Sequence, residues 1–142
     1  MIIIVGFKDD IRMISIPIEE YLHTVTIHIF DFYDFPLFFI TKSKEDKYYL
    51  HYFVEDVNKE TDKWLFAEIS NDERLQLVER KISTLTLLKN LLRNQRLYYL
   101  FANHVKEKLN LEQINQDSLN PDDFPENEYF VEYDYISNKK LG

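Results

Sequence analysis

Trp64-Leu65-Phe66-Ala67-Glu68-Ile69-Ser70-Asn71-Asp72-Glu73 is the stretch on which the fold turns. Five of its first six residues, all but Glu68, are aromatic or aliphatic, as a strand requires. Its last four are a capping box. The Ser70 side chain can accept the backbone N–H of Glu73, and the Glu73 carboxylate can reach back to Ser70. A sheet therefore ends at Ile69 and helices begin at Ser70.

Upstream of this boundary the hydrophobic period is two. Residues 11–16 followed by Pro17 read as a short edge strand. From Val25, the residues Val25, Ile27 and Ile29 share one face while Thr26 and His28 share the other. That strand closes at Asp31-Phe32-Tyr33-Asp34-Phe35-Pro36, where Pro36 lacks a ladder donor. Leu37 to Thr41 is the next strand, Lys42 to Lys47 its polar turn, and Tyr48 to Val54 the strand after it. Glu55 to Lys63 reads as a charged loop. Trp64 to Ile69 completes an antiparallel meander.

Downstream the period lengthens. Leu75 and Val78 face inward from the first helix. Ser83 caps a second, with Leu85, Leu87, Leu88, Leu91 and Leu92 close to a 3.6-residue repeat. Leu97 to Phe101 reads as a strand after a turn at Asn94-Gln95. Lys108 to Asn120 is polar and amide-rich. Asn120 to Pro125 is a turn with a buried aromatic, and Tyr129 to Ile136 alternates as a last strand. The expected fold is α+β: an antiparallel sheet of about five strands, with two short helices after the meander. Residues 1–142 make one domain, with 137–142 a disordered tail.

Charge is segregated along the chain. Glu112 to Asp134 holds eight acidic residues and no Lys or Arg, whereas Arg74 to Lys108 holds eight basic residues against Glu79 and Glu107. Such separation steers and selects partners. The net charge of −8 argues against direct binding of free nucleic acid, which needs cations to displace counterions. Solubility alone also explains an acidic balance.

Glycine occurs only at Gly6 and Gly142, so there is no G-x-G-x-x-G or Walker A loop, which argues against the classical nucleotide folds. The absence of cysteine removes disulfides, thiolate nucleophiles and Zn–Cys sites, and suits a reducing cytoplasm. The apolar start, Met1 to Val5, lacks a basic leader, and no apolar run reaches the ~20 residues of a membrane span.

The pattern from about Phe30 to Tyr129 resembles a family of small bacterial domains of unknown function. Phe32-Tyr33-Asp34-Phe35-Pro36-Leu37-Phe38, Tyr49-Leu50, Asp62-Lys63-Trp64-Leu65, Ile69-Ser70 with Arg74-Leu75, Lys81-Ile82-Ser83 and Leu119 to Pro125 carry the resemblance. The family favours Gly before the proline and in the hairpin turn. Here Phe35 and the Ser43–Asp46 run stand there. The resemblance implies an order of elements and no activity.

Few residues suggest chemistry. His28 and His51 would face each other across neighbouring strands, with Asp31 or Glu55 near; His23 and His104 are the other histidines. Asp31 and Asp34, set among aromatics, are the best general acid/base pair, although Asp34 equally suits a turn. No metal site, cofactor or catalytic residue is predicted.

The run Asp122, Asp123, Phe124, Glu126, Glu128, Tyr129 combines fixed carboxylates with aromatic anchors, as in proteins that mimic nucleic acid. With Phe35 and Phe38 of the upstream turn, these are the predicted contacts to a protein partner. The sequence thus points to a non-catalytic, cytoplasmic protein-binding module. It would be a small acidic inhibitor or accessory factor, with phage or plasmid counter-defence one setting and a nucleic-acid-handling enzyme one partner. The alternatives are a metal-dependent hydrolase using Asp31 and Asp34, and a self-assembling protein whose edge strands pair as a homodimer.

Overall fold

The computed structural model describes residues 3–7, 10–14, 24–103 and 109–141. Its strands are β1 (Ile3–Phe7), β2 (Asp10–Ile14), β3 (Val25–Tyr33), β4 (Phe35–Lys42), β5 (Tyr48–Asn58), β6 (Thr61–Ile69), β7 (Tyr98–Asn103) and β8 (Leu109–Gln113). They form one sheet in the order β2-β1-β8-β7-β6-β5-β4-β3. From β3 to β8 every neighbour is antiparallel. The β1–β2 hairpin then joins β8 through a parallel pairing. The fold is α+β, as expected, with more strands than expected.

The differences have local causes. β1 lies in the apolar start, whose shortness says nothing about pairing. β8 lies in the amide-rich stretch, where Leu109 and Leu111 alternate with Asn110 and Glu112 over too few residues to mark a strand. The charged segment Glu55 to Lys63 is not a loop. β5 and β6 run through it to a two-residue turn at Lys59-Glu60, with Glu55 opposite Lys63. Asn58 Oδ1 accepts the Glu60 N–H at 2.9 Å and closes the turn. The ribbon is held by its backbone ladder and closing turn rather than by apolar alternation: Glu55 faces Lys63, but Asp56 faces Asp62. Ile11 to Ile14 does lie in an edge strand; Ser15 and Ile16 lie outside the described residues.

Helices α1 (Asn71–Val78) and α2 (Thr84–Arg93) follow β6. The Ser70 capping box forms in full, with Glu73 N–H to Ser70 Oγ at 3.0 Å and Ser70 N–H to Glu73 Oε1 at 2.8 Å. Ser83 caps α2 through the Thr86 N–H. Both helices end at left-handed residues, Arg80 and Gln95, just past their last turns.

Alternation sorts the sheet into two faces. Phe38, Ile40, Leu50, Leu65, Ala67 and Ile69 pack with Leu77, Leu85, Leu88 and Leu91 of the helices and with Phe124 and Val131. Tyr49, Trp64, Phe66, Leu100 and Leu111 form a second cluster. The irregular acidic segment after Ile114 thus extends the helical cover of the first face. Only Tyr133–Asp134 (β9) of the expected last strand is extended. It pairs with Lys139–Lys140 (β10), within the segment read as a loose tail. The Leu141 N–H also reaches the Glu132 carbonyl at 2.8 Å.

Candidate partner-binding surface

Two buried networks fix the acid-rich segment to the sheet. In the first, Asn120 caps a short 3-10 turn, Pro121–Asp123, and Asp123 points inward. Its carboxylate accepts the Tyr99 hydroxyl at 2.5 Å and pairs with Lys63 Nζ at 3.1 Å. Lys63 also lies over the Tyr99 ring, 4.2 Å from its centroid. Burial, reinforced by Asp123, pushes the Tyr99 hydroxyl well above the usual phenol range, so it stays a donor.

In the second, Asp134 is 3% exposed. Its Oδ1 accepts the backbone N–H groups of Ile29 and Ile136, and its Oδ2 lies 2.8 Å from His28 Nδ1. On the far side of the ring, Arg74 Nη1 is 3.0 Å from His28 Nε2. A guanidinium only donates, so Nε2 is the acceptor and Nδ1 carries the hydrogen given to Asp134. Burial alone would raise the Asp134 carboxyl; the bonds from His28, Ile29 and Ile136 outweigh it and lower the pKa.

These networks separate the predicted contacts into two groups. Asp123 and Phe124 are buried, and so is Phe38, whose ring sits edge-on between Phe30 and Tyr52. Asp122, Glu126, Glu128, Tyr129 and Phe35 reach the surface. Glu128 is partly engaged: it accepts the Thr86 hydroxyl at 2.5 Å beside the N-terminus of α2. Tyr129 leans on Tyr52 at the sheet, near Asp31.

The β3–β4 turn, where the sequence predicts Phe35 and Phe38 as contacts, carries exposed aromatics joined by two residues that the sequence did not single out, Tyr135 and Ile136. The Tyr135 N–H bonds the Ile29 carbonyl at 2.8 Å and brings the turn after β9 against β3. Tyr135 then lies 6.2 Å from Phe32 and 4.8 Å from Tyr133, measured between ring centroids. Phe32, Tyr33, Phe35, Tyr135 and Ile136 are all exposed there. Phe35 is anchored edge-on against Phe53 at 5.5 Å. Asp31 and Asp34 are exposed beside them. Asp34 is the left-handed residue of the turn, at φ 63°, a conformation Asp tolerates well.

The chemical alternatives meet a different geometry. His28 and His51 do not face each other: β4 lies between their strands, and Ile40 is the cross-strand partner of both His28 and Leu50. His28 stacks on Phe30 on the helix-covered side. His51 stacks on Phe39 at 4.4 Å and meets Trp64 and Phe66 on the other. Burial drives the His51 pKa down to about 3, so its ring is neutral, with Thr41 Oγ1 3.3 Å from Nε2. His23 and His104 lie outside the described residues. Among the described residues, no three His, Asp or Glu side chains come together as metal ligands do.

No helix among the described residues is long and apolar enough to cross a membrane. No curated protein and no solved structure matches the chain. A family model, described as a family of unknown function (DUF6575), matches residues 18–141. By that match, which spans most of its length, the chain belongs to the DUF6575 family.

Proposed function

We propose that this chain is a non-catalytic, cytoplasmic protein-binding module, a small acidic inhibitor or accessory factor. The observation that carries the reading is the set of exposed aromatics around the β3–β4 turn, where Phe32 meets Tyr135 from a distant segment and Tyr33 stands opposite Phe35, which leans on Phe53. Aromatic side chains on a rigid base supply binding energy with little entropy to lose. Asp122, Glu126 and Glu128 on the acid-rich segment add steering charge.

Nucleic-acid mimicry is the narrower form of this reading, and it rests on the exposed carboxylates alone. Asp123 and Asp134 are turned inward to Lys63 and His28, which removes two acids from such a surface.

Affinity capture of the tagged chain from its host lysate, washed at low and high salt, tests the module. A stoichiometric partner is expected. The variant Tyr33→Ser with Tyr135→Ser should lose it while keeping the wild-type circular dichroism. The variant Asp122→Asn, Glu126→Gln, Glu128→Gln should weaken capture mainly at low salt. Full capture by both variants would sink the reading. Loss only with the acidic set, together with a nucleic-acid enzyme as the partner, would favour mimicry.

A further inference from the structure

The β3–β4 turn divides its aromatics between the two faces of the sheet. Asp31 stands opposite Phe38 and Phe32 opposite Pro36, whereas Tyr33 stands opposite Phe35. Phe38 and Pro36 alternate with Leu37 and so share a face. The irregularity in β3 therefore sets Asp31 and Phe32 side by side on that face. Phe38 belongs to the core under the helices, so the face is the helix-covered one, and Tyr52, opposite Phe38 on β5, lies on it too.

A carboxylate without a cation meets open rings there. Asp31 is exposed, and none of the ion pairs among the described residues uses it. Its charge reaches two phenols. Burial, with Tyr129 and Asp31 added, pushes the Tyr52 hydroxyl well above the usual phenol range, and burial with Asp31 raises that of Tyr129. Both phenols stay neutral beside the carboxylate. The rings of Phe32 and Tyr135 lie 6.2 Å apart and are 46% and 49% exposed. Tyr133 backs Tyr135 at 4.8 Å. The segment that carries Tyr135 is fixed to β3 by the buried Asp134, through Ile29, Ile136 and His28. The rings are therefore preorganised and lose little freedom when a ligand docks.

We propose that Asp31, Phe32 and Tyr135 form a cation site, and that its occupant is an arginine side chain of a protein partner. A guanidinium is planar and weakly hydrated, so it can stack on an aromatic ring while its N–H groups meet a carboxylate. A lysine ammonium is more strongly hydrated and does not stack. An apolar group would bury the Asp31 charge unpaired. Asp34, exposed at the turn, and the net charge of −8 draw the same sign of ligand. The inference rests on the protein-binding reading and names what the partner presents.

The test is an NMR titration of the isotopically labelled full chain with Nα-acetyl-arginine amide, beside its lysine and citrulline counterparts. Citrulline has the shape of arginine without the charge. Arginine should shift the Phe32 and Tyr135 ring signals saturably, lysine more weakly and citrulline not at all. Asp31→Asn, a change at an exposed side chain, should keep the fold and weaken arginine binding about tenfold. Equal shifts with citrulline, equal binding of lysine, or arginine binding unchanged in Asp31→Asn would overturn the proposal. Lysate capture separates this inference from the reading beneath it. One partner captured equally by wild type and Asp31→Asn would overturn the cation site and leave the module standing. Arginine binding with no partner captured would do the reverse.

Discussion

At the scale of single residues, the decisive contacts are buried charges whose partners lie far away in sequence. Asp123 neutralises Lys63 across sixty positions and receives the Tyr99 hydroxyl. Truncating it leaves a mostly buried ammonium and an unpaired phenol, so Asp123→Ala should cost on the order of 3 kcal/mol in urea unfolding. A loss below about 1 kcal/mol would mean that the network is solvated like a surface ion pair. Asp134 gives a pH-dependent counterpart. Its folded-state pKa is lowered, so its contribution is present above the ordinary carboxylate range and is lost as pH falls through the folded value. The stability gap between wild type and Asp134→Asn should hold from neutral pH to about pH 4 and shrink below it. A gap that widened on acidification would contradict the assignment.

At the scale of elements, local sequence acted where it was self-contained. The Ser70 and Ser83 caps form as spaced, because a helix's first N–H groups need acceptors whatever surrounds them. Ser70→Ala should therefore cost about 1 kcal/mol of stability, read from denaturant midpoints. Leu88 is fully buried between α2 and the sheet. Leu88→Ala should cost roughly 2–5 kcal/mol through the cavity it leaves. The long β5–β6 ribbon shows the opposite case. Its outer half is charged on both strands and holds by pairing, with Glu55 facing Lys63. Single-sequence alternation has only Val57 to register there, and so the segment reads as a loop.

At the scale of the whole molecule, the acidic segment serves two purposes that its sequence does not separate. Asp123, Phe124, Val131 and Asp134 turn inward and complete the cover of the sheet, while Asp122, Glu126 and Glu128 remain outside. A partner drawn by the outer charges should associate more slowly as salt rises, with dissociation little changed. Surface plasmon resonance on the captured partner would check this. A salt-independent association rate would assign the recognition to the aromatic patch alone.

The sequence by itself determined the α+β class, the meander from Val25 to Ile69, both helix caps and the strand after α2. Each is written in hydrophobic period, cap chemistry or turn residues within about ten positions. Tertiary structure alone decided which faces His28 and His51 occupy, that β1 pairs with β8, and that the turn after β9 lies on β3. It also decided which acids are internal. Those outcomes depend on contacts between residues 60 to 106 positions apart. A carboxylate carries no local mark of whether a lysine or histidine from another strand will meet it. Burial settles that only when the chain closes on itself.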